Sequence, residues 1–193
     1  MKVLFLNPPF HPLFSRESRS PSVTKSSTLY WPMFLAYNAG YVEADNNVID
    51  LIDSPAMEID IEETLRRIKN FQPELVVVNT STPSILNDLK VVNRIKNDLG
   101  VPTAIMGTHA TAEPVESLEM EESLDFVISG EAELPTRNLV RSLRGDGDIA
   151  LEEIPGISLR TPKGIQSNPE GPKIEDINTI PWVSRTYVKF LKD

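Results

Sequence analysis

The sequence predicts an α/β fold: a five-stranded parallel sheet in the strand order 2-1-3-4-5, with helices on both faces. Two observations carry this prediction. Five short runs are mainly apolar, and those at residues 3–6 and 75–78 are unbroken, which is typical of strands buried on both faces of a parallel sheet; helical periodicity fills the intervals between the runs. Strands that alternate with helices form βαβ units with right-handed crossovers, so the strands run parallel.

The predicted strands are short and rich in Val, Ile and Leu. After the first run, Pro8 and Pro9 can neither extend a strand nor continue directly into a helix, so the chain leaves the sheet as an extended loop. The predicted strands cover residues 2–6, 48–53, 75–79, 103–106 and 125–128. Together with the helices they predict a flavodoxin-like or Rossmann-like sheet.

Apolar stripes at helical spacing predict the helices. Pro32 stands at a helix start, where its missing N–H is harmless, and Gly100 stops the helix that follows Pro83. Residues 11–29 have no apolar period and predict a long loop, ordered or semi-mobile. The predicted helices begin near residues 32, 61, 83, 113 and 133.

The pattern changes after residue 148. Residues 157–160 and 165–167 predict a small β-hairpin, and the proline-rich stretch that follows predicts an extended linker. We therefore expect two parts, a main domain of residues 1–148 and a hairpin with linker of residues 149–193. The last residues, from Trp182, show no polar fade, which suggests a chain cut from a longer one.

Composition excludes several classes of function. The 193 residues include no cysteine and two histidines and carry a net charge of -9, which disfavours nucleic-acid binding and excludes disulfides or cysteine-ligated metals within this stretch. No apolar run approaches the ~18 residues that cross a bilayer, and Met1 leads into a strand rather than a signal peptide. We expect a cytoplasmic protein.

Four loops are predicted to meet at the carboxyl edge of the sheet, where ligands bind in open α/β folds. They are predicted to form one pocket, and their residues are Asn7-Pro8-Pro9, Thr80-Ser81-Thr82, Gly107-Thr108-His109 and Ser129-Gly130-Glu131. The first loop lacks the glycine patterns that bind dinucleotides or nucleoside triphosphates. A phosphoacceptor domain is also disfavoured, because Asn7 and Asn79 stand where carboxylates are needed. Small, hydroxyl and amide groups instead favour a large, mostly neutral ligand.

These residues resemble a known family, and the resemblance covers essentially the whole chain. The chain resembles the N-terminal cobalamin-binding domain of cobalamin-dependent radical S-adenosylmethionine enzymes, a group that includes the anaerobic magnesium-protoporphyrin IX monomethyl ester oxidative cyclase. The resemblance rests on an ordered set of motifs: residues 3–9, Trp31-Pro32, Leu35-Ala36, Gly40-Tyr41, residues 107–111, residues 127–133 and residues 177–182.

The resemblance implies that the nucleotide tail of cobalamin enters beside the first and third strands while the corrin lies over the carboxyl edge. It implies hydrogen bonds to the tail or corrin amides from three hydroxyls, close backbone approach at three positions, and corrin amide contacts from two carboxylates. In that order these residues are Thr80, Ser81 and Thr82; Gly107, Thr108 and Gly130; and Glu131 and Glu133. Asn7, Pro8 and Pro9 would form a rigid wall of the cleft.

The sequence departs from the tidiest family form in the glycines and in the first loop. Thr108 follows a single glycine, and Ala132 stands where glycine is common, so both could narrow the pocket. The first loop lacks the Asp-x-His-x-x-Gly motif that supplies a cobalt ligand in other cobalamin domains. We therefore expect neither His11 nor His109 to bind cobalt, and we expect His109 to cap a helix start or to hydrogen-bond the corrin.

Two functional hypotheses follow from the resemblance. In the first, the chain is the cobalamin module of a radical S-adenosylmethionine enzyme for methyl transfer or oxidative cyclisation, with no catalytic residue of its own. S-adenosylmethionine and an iron-sulfur cluster would then be bound only by an absent C-terminal radical-SAM domain, the expected partner. In the second, the chain is a stand-alone cobalamin sensor or carrier that regulates a partner, or its pocket is vestigial and serves only as a docking scaffold. The sequence does not name a substrate.

Overall fold

The computed structural model describes residues 1–17, 21–23 and 29–181. The strands are β1 (Lys2–Asn7), β2 (Phe14–Ser15), β3 (Ser22–Val23), β4 (Val48–Asp53), β5 (Leu75–Thr80), β6 (Thr103–Gly107), β7 (Phe126–Ile128), β8 (Ile157–Thr161) and β9 (Gly164–Ser167). Seven of them form one sheet in the order β4-β1-β5-β6-β7-β8-β9. The first five in that order run parallel, which confirms the predicted order 2-1-3-4-5.

Helices cover both faces of the sheet, as predicted. They are α1 (Met33–Glu43), α2 (Ile61–Phe71), α3 (Ile85–Leu99), α4 (Thr108–Ala112), α5 (Pro114–Met120) and α6 (Glu133–Arg144). On β1, Val3 and Phe5 pack in one core cluster with residues of α1 and α6. Leu4 and Leu6 pack in the other cluster, with residues of α2 and α3. All four side chains are fully buried, which explains why the run shows no apolar–polar alternation.

The helix ends follow from local sequence. The Asp60 carboxylate accepts a hydrogen bond from the Glu63 N–H and so caps α2. Gly100 ends α3 in the left-handed conformation, with φ of 68°, and Gly145 ends α6 with φ of 84°. Pro32 precedes α1 but provides no side-chain cap.

The structure differs from the sequence prediction at two places. Residues 108–112, predicted as a loop, form the short helix α4, which is too brief to show an apolar period. Within the predicted long loop of residues 11–29, β2 and β3 pair antiparallel. The residues from Trp182 onwards, whose composition suggests a chain cut from a longer one, lie outside the described residues.

The predicted hairpin is present and extends the main sheet. β8 pairs antiparallel with β7, and β9 pairs with β8. Ile154, Ile157 and Leu159 are buried in the same core cluster as β1 and α1. The division at residue 148 stays a prediction. Across residues 1–17, 21–23 and 29–181, no helix is both long and apolar enough to cross a membrane.

Candidate functional site

Three of the predicted loops touch one another at the carboxyl edge. A Cβ atom on Gly107 would lie 2.2 Å from the Thr80 carbonyl oxygen, so the ends of β5 and β6 are in close contact. The Thr82 Oγ1 and His109 Nδ1 atoms are 3.4 Å apart. The loop after β7 joins them, because the Gly130 N–H donates to Thr111 Oγ1 at 3.1 Å.

The loop after β1 turns back over the sheet and brings Arg16 to its edge. We call residues 8–17 the 8–17 loop. The Arg16 guanidinium donates to the Pro8 carbonyl at 2.8 Å and to Asn7 Oδ1 at 3.1 Å. The Asn87 amide donates to the Pro9 carbonyl at 2.8 Å. The two prolines thus form a wall whose carbonyls are already hydrogen-bonded.

Asn7 connects this loop to the end of β4. Its amide donates to Asp53 Oδ1 at 2.8 Å, and the residue is almost fully buried. Burial raises the pKa of the Asp53 carboxyl, and the hydrogen bond from Asn7 opposes that rise. Asp53 also accepts from the Ala56 N–H, so it caps a turn, as we expect for an Asp at a strand end.

A bidentate ion pair lies at the carboxyl ends of β1 and β5. Arg16 Nη2 is 2.5 Å from Asp88 Oδ1, Arg16 Nε is 3.1 Å from Asp88 Oδ2, and both side chains are fully buried. The Thr80 hydroxyl donates to Asp88 Oδ2 at 2.9 Å, and the Ser84 hydroxyl donates to the same oxygen at 2.6 Å. Asp88 is therefore both paired and hydrogen-bonded, as a buried carboxylate requires.

The three predicted hydroxyls after β5 lie in different surroundings. Thr80 and Ser81 are buried, and the Ser81 and Ser84 hydroxyl oxygens are 2.9 Å apart. Thr82 is exposed, next to His109. Two of the three hydroxyls are thus engaged within the protein, and the third faces solvent.

Glu17 ends the 8–17 loop and closes it against α1. Its carboxylate accepts from the Phe34 N–H at 2.7 Å, from the Leu35 N–H at 3.2 Å and from the Asn79 amide at 3.1 Å. Burial raises the pKa of Glu17 to about 7, the nearby Asp53 adds to the rise, and these three hydrogen bonds oppose it. The helix that lacks a cap from Pro32 is therefore capped by a distant glutamate.

The half of the edge at β6 holds fewer charged contacts. Gly107 has φ of 120°, a conformation that favours glycine. Thr108 is exposed, whereas His109 is only 7% exposed. Its Nε2 atom is buried and has no hydrogen-bond partner among the residues that the structure describes. An unpaired buried ring nitrogen is costly, so this atom is a candidate for a ligand contact.

The last predicted loop is overlaid by the C-terminal segment. A Cβ atom on Gly130, where φ is 75°, would lie 2.8 Å from the Glu170 side chain. The Gly156 N–H donates to the Pro169 carbonyl at 2.7 Å. Glu131 is exposed, and its carboxylate accepts from the Ile174 N–H at 3.4 Å. Burial raises the pKa of the Glu133 carboxyl, and the Glu131 charge adds to that rise.

A cavity of about 1020 Å³ opens on the other side of the 8–17 loop. It is lined by residues 9–13, by residues 54, 55 and 58–61, and by the face of α3 that carries Asn87, Lys90, Val91 and Arg94. Among the residues predicted for the site, the cavity lining includes Pro9. Thr82, Thr108 and His109 are not among the residues that line this cavity. His11, exposed and also in the lining, packs against the Phe10 ring with centroids 4.5 Å apart.

Sequence reasoning missed Arg16, Glu17 and Asp88. Asp88 gave a detectable signal, because it lies three residues after Ile85 and four before Val92 and so falls within the apolar stripe of α3. A lone carboxylate in such a stripe indicates a buried partner. Arg16 and Glu17 lie in a segment without periodicity, and nothing in the sequence pairs them with α3 or α1. Within the described ranges, no cluster of three or more His, Asp or Glu residues is arranged to bind a metal ion.

Comparisons with known proteins find two relatives whose names describe enzymes. An uncharacterised methyltransferase of Pyrococcus horikoshii is 28% identical over 183 residues, which are 94% of this chain and 37% of the relative. The anaerobic magnesium-protoporphyrin IX monomethyl ester cyclase of Cereibacter sphaeroides is 25% identical over 190 residues, which are 93% of this chain and 28% of the relative. The chain thus spans about a third of the length of these curated relatives.

Solved structures share the fold. The cobalamin-dependent S-adenosylmethionine radical enzyme OxsB, with aqua-cobalamin and S-adenosylmethionine bound, superposes with a TM-score of 0.74 at 15% identity, over 93% of this chain and 23% of that one. The radical S-adenosylmethionine methyltransferase TsrM from Kitasatospora setae, with cobalamin and a [4Fe-4S] cluster bound, gives a TM-score of 0.68 at 17% identity, over 93% of this chain and 30% of that one. The model of the B12-binding domain family matches residues 21–140, more than half of the sequence, and the chain therefore belongs to that family.

Proposed function

We propose that this chain binds cobalamin and presents it to a following radical S-adenosylmethionine domain of the same protein. The family match over residues 21–140 carries the proposal. The names of its relatives support it, since they include a methyltransferase and a cyclase, and the similar folds of OxsB and TsrM were solved with cobalamin bound.

The carboxyl edge fits a large, mostly neutral ligand. The cavity of about 1020 Å³ lies at the upper end of the usual range for ligand sites, about 300–1,000 Å³. At the ends of β5 and β6, the exposed Thr82 and Thr108 lie next to His109, whose Nε2 lacks a partner among the described residues. Donors and acceptors of this kind match the many amide groups that cobalamin carries.

The predicted site residues divide into those whose polar groups are free to contact a ligand and those already hydrogen-bonded within the protein. We assign Thr82, Thr108 and His109 to direct contacts with the corrin amides, and Glu131 and Glu133 to contacts near the loop after β7. Asn7, Thr80 and Ser81 are hydrogen-bonded within the protein, so in this arrangement they shape the site. Gly107 and Gly130 have no side chain, so they would let a ligand approach the backbone closely at this edge.

The chain's own role is placement. Cobalamin would supply the chemistry, either methyl transfer or oxidative ring closure, and the protein would orient it and limit access of water. S-adenosylmethionine and an iron-sulfur cluster belong, in this proposal, to the C-terminal domain and not to residues 1–193. The stand-alone sensor is not favoured, because the relatives found are enzymes. A cytoplasmic setting is part of the same proposal.

The ligand is tested by adding hydroxocobalamin to the purified 193-residue chain. We expect co-elution on gel filtration with a shifted visible spectrum, and free passage of the ligand at micromolar protein would overturn the proposal. Cobinamide, which lacks the nucleotide tail, should bind more weakly. The variant His11→Ala should keep the bound spectrum, since we propose cobalt without a protein histidine beneath it.

The enzyme context has a test of its own. The coding sequence after Asp193 should encode Cys-x-x-x-Cys-x-x-Cys within a few tens of residues, the pattern that the radical enzymes use to hold their cluster. A stop codon at that point would contradict the proposal for the whole protein and leave cobalamin binding by this chain to be judged by the spectrum.

A further inference from the structure

The 8–17 loop contacts two regions of the carboxyl edge that a large ligand could occupy together. On one side its residues 9–13 line the cavity beside α3. On the other side Arg16 and Glu17 lie against the ends of β1 and β5, beyond which Thr82 and His109 begin the second region. The loop therefore contacts both the cavity and the strand ends that precede Thr82 and His109.

Arg16 fastens the loop by a contact suited to reversible opening. The Arg16–Asp88 pair is fully buried and bidentate. Burying two ions costs about as much free energy as their attraction returns, so exposing both to water together is nearly neutral, whereas removing one is costly. Opening would also leave the Asn7 Oδ1 atom without its present donor and ready for a ligand.

Glu17 fastens the end of the same loop. Its carboxylate provides the acceptor for two N–H groups at the start of α1 and for the Asn79 amide. All three donors lie at the carboxyl edge, where the fold places ligands. An anionic or carbonyl group of a ligand would satisfy the same donors once Glu17 had left.

We propose that the 8–17 loop is a latch over the ligand edge, held shut by Arg16 and Glu17 in the ligand-free chain and displaced when cobalamin binds. The proposal rests on the proposed function, because it takes cobalamin as the ligand. It goes further in stating that the free chain is closed and that binding joins the cavity to the Thr82 and His109 side of the edge. The apparent affinity is then lowered by the small fraction of open chain.

Loop position can be measured directly, because the chain has no native cysteine to remove. Spin labels at Ser22→Cys and Glu122→Cys report the loop, since Ser22 is exposed and pairs with Ser15 of β2. Labels at Leu86→Cys and Glu122→Cys form the matched control, because Leu86 is 67% exposed on α3. With saturating hydroxocobalamin, the 22–122 distances should shift to a second population while the 86–122 distances stay unchanged.

The variant Glu17→Ala tests the fastening. Three donors lose their acceptor in the closed state, so opening becomes easier, and hydroxocobalamin should associate roughly tenfold faster. The variant should also populate the second 22–122 distance without ligand. Glu119→Ala, which removes an exposed carboxylate from α5, should match the wild-type chain in both measurements.

The spectrum reports the proposed function, and the distances report the latch. Cobalamin that binds the wild-type chain with unchanged 22–122 distances would overturn the latch and leave the function intact. Cobalamin that binds both chains but associates faster with Glu17→Ala would support the latch. Binding to neither chain would overturn both proposals, and unaltered association in Glu17→Ala would overturn the role of Glu17.

Discussion

The carboxyl edge of the sheet has two halves with different electrostatics. At β1 and β5, the polar side chains serve a buried ion pair, and Asn7, Thr80 and Ser84 all donate to or accept from its network. At β6 and β7, the polar groups are exposed, or buried without a described partner, as His109 Nε2 is. The difference teaches that residue type at a strand end does not define a ligand contact. The neighbouring charges decide whether that residue is free to bind.

The largest effect should follow from breaking the ion pair in the first half. We expect Arg16→Ala to lower the free energy of unfolding by about 3–5 kcal/mol, because Asp88 then remains buried without its cation. Urea unfolding measures the loss. The double variant Arg16→Met with Asp88→Leu should recover most of it, whereas losses that simply add would contradict a coupled pair. Arg94→Ala, at an exposed ion pair, should change little.

Gly107 pairs with Thr80 where the two halves of the edge meet, and replacing it should destabilise that contact. A Cβ there would collide with the Thr80 carbonyl, and φ is 120°, so Gly107→Ala should cost about 3 kcal/mol. Gly164→Ala is the matched control, because Gly164 has φ of 115° and no described atom lies within 4 Å of its added Cβ. Its smaller loss in thermal unfolding measures backbone strain alone. Equal losses would show that contact with Thr80 does not matter.

Glu17 gives the first half of the edge a pH-dependent contribution to stability. Its pKa is raised from 4.5 to about 7 in the folded chain, so its contribution to stability is present below pH 4.5 and is lost as pH rises towards 7. The loss should be on the order of 3 kcal/mol, since each unit of pKa shift corresponds to about 1.4 kcal/mol. The charged group that acts on it is Asp53. The difference in unfolding free energy between wild type and Glu17→Gln should therefore change between pH 4.5 and 7 and level off above; a flat difference would contradict the raised pKa.

The smallest effects should distinguish a hydroxyl that is hydrogen-bonded within the protein from one that is exposed. Thr80→Val removes the hydroxyl that donates to Asp88 and should cost about 1 kcal/mol of stability. Thr82→Val removes an exposed hydroxyl and should leave stability unchanged while weakening cobalamin binding about fivefold. Chemical unfolding and ligand titration on both variants test the pair. The opposite pattern would reverse our assignment of these two threonines.

The sequence predicts the fold well because the inner strands β1 and β5 are apolar on both faces and the helices α2, α3 and α6 have a clear apolar stripe. It also predicts which loops share the carboxyl edge, since parallel strands end together. It does not predict how those residues are used. From the sequence alone, Asn7 and Thr80 look like ligand groups. In the structure they are hydrogen-bonded to the Arg16–Asp88 pair, which forms only because α3 packs beside a loop whose sequence shows no periodicity. The helix α4 was missed because five residues are too few to show a period.

The hairpin of β8 and β9 determines where the chain goes next. β8 begins opposite Ile128, at the carboxyl end of β7, and runs to the far edge, while β9 runs back to end opposite Ser158. An even number of added strands returns the chain to the edge it left, whereas a single one would have delivered it to the opposite side. Residues 168–174 accordingly lie against Gly130 and Glu131. The even number of added strands thus places residues 168–174 at the carboxyl edge of the sheet.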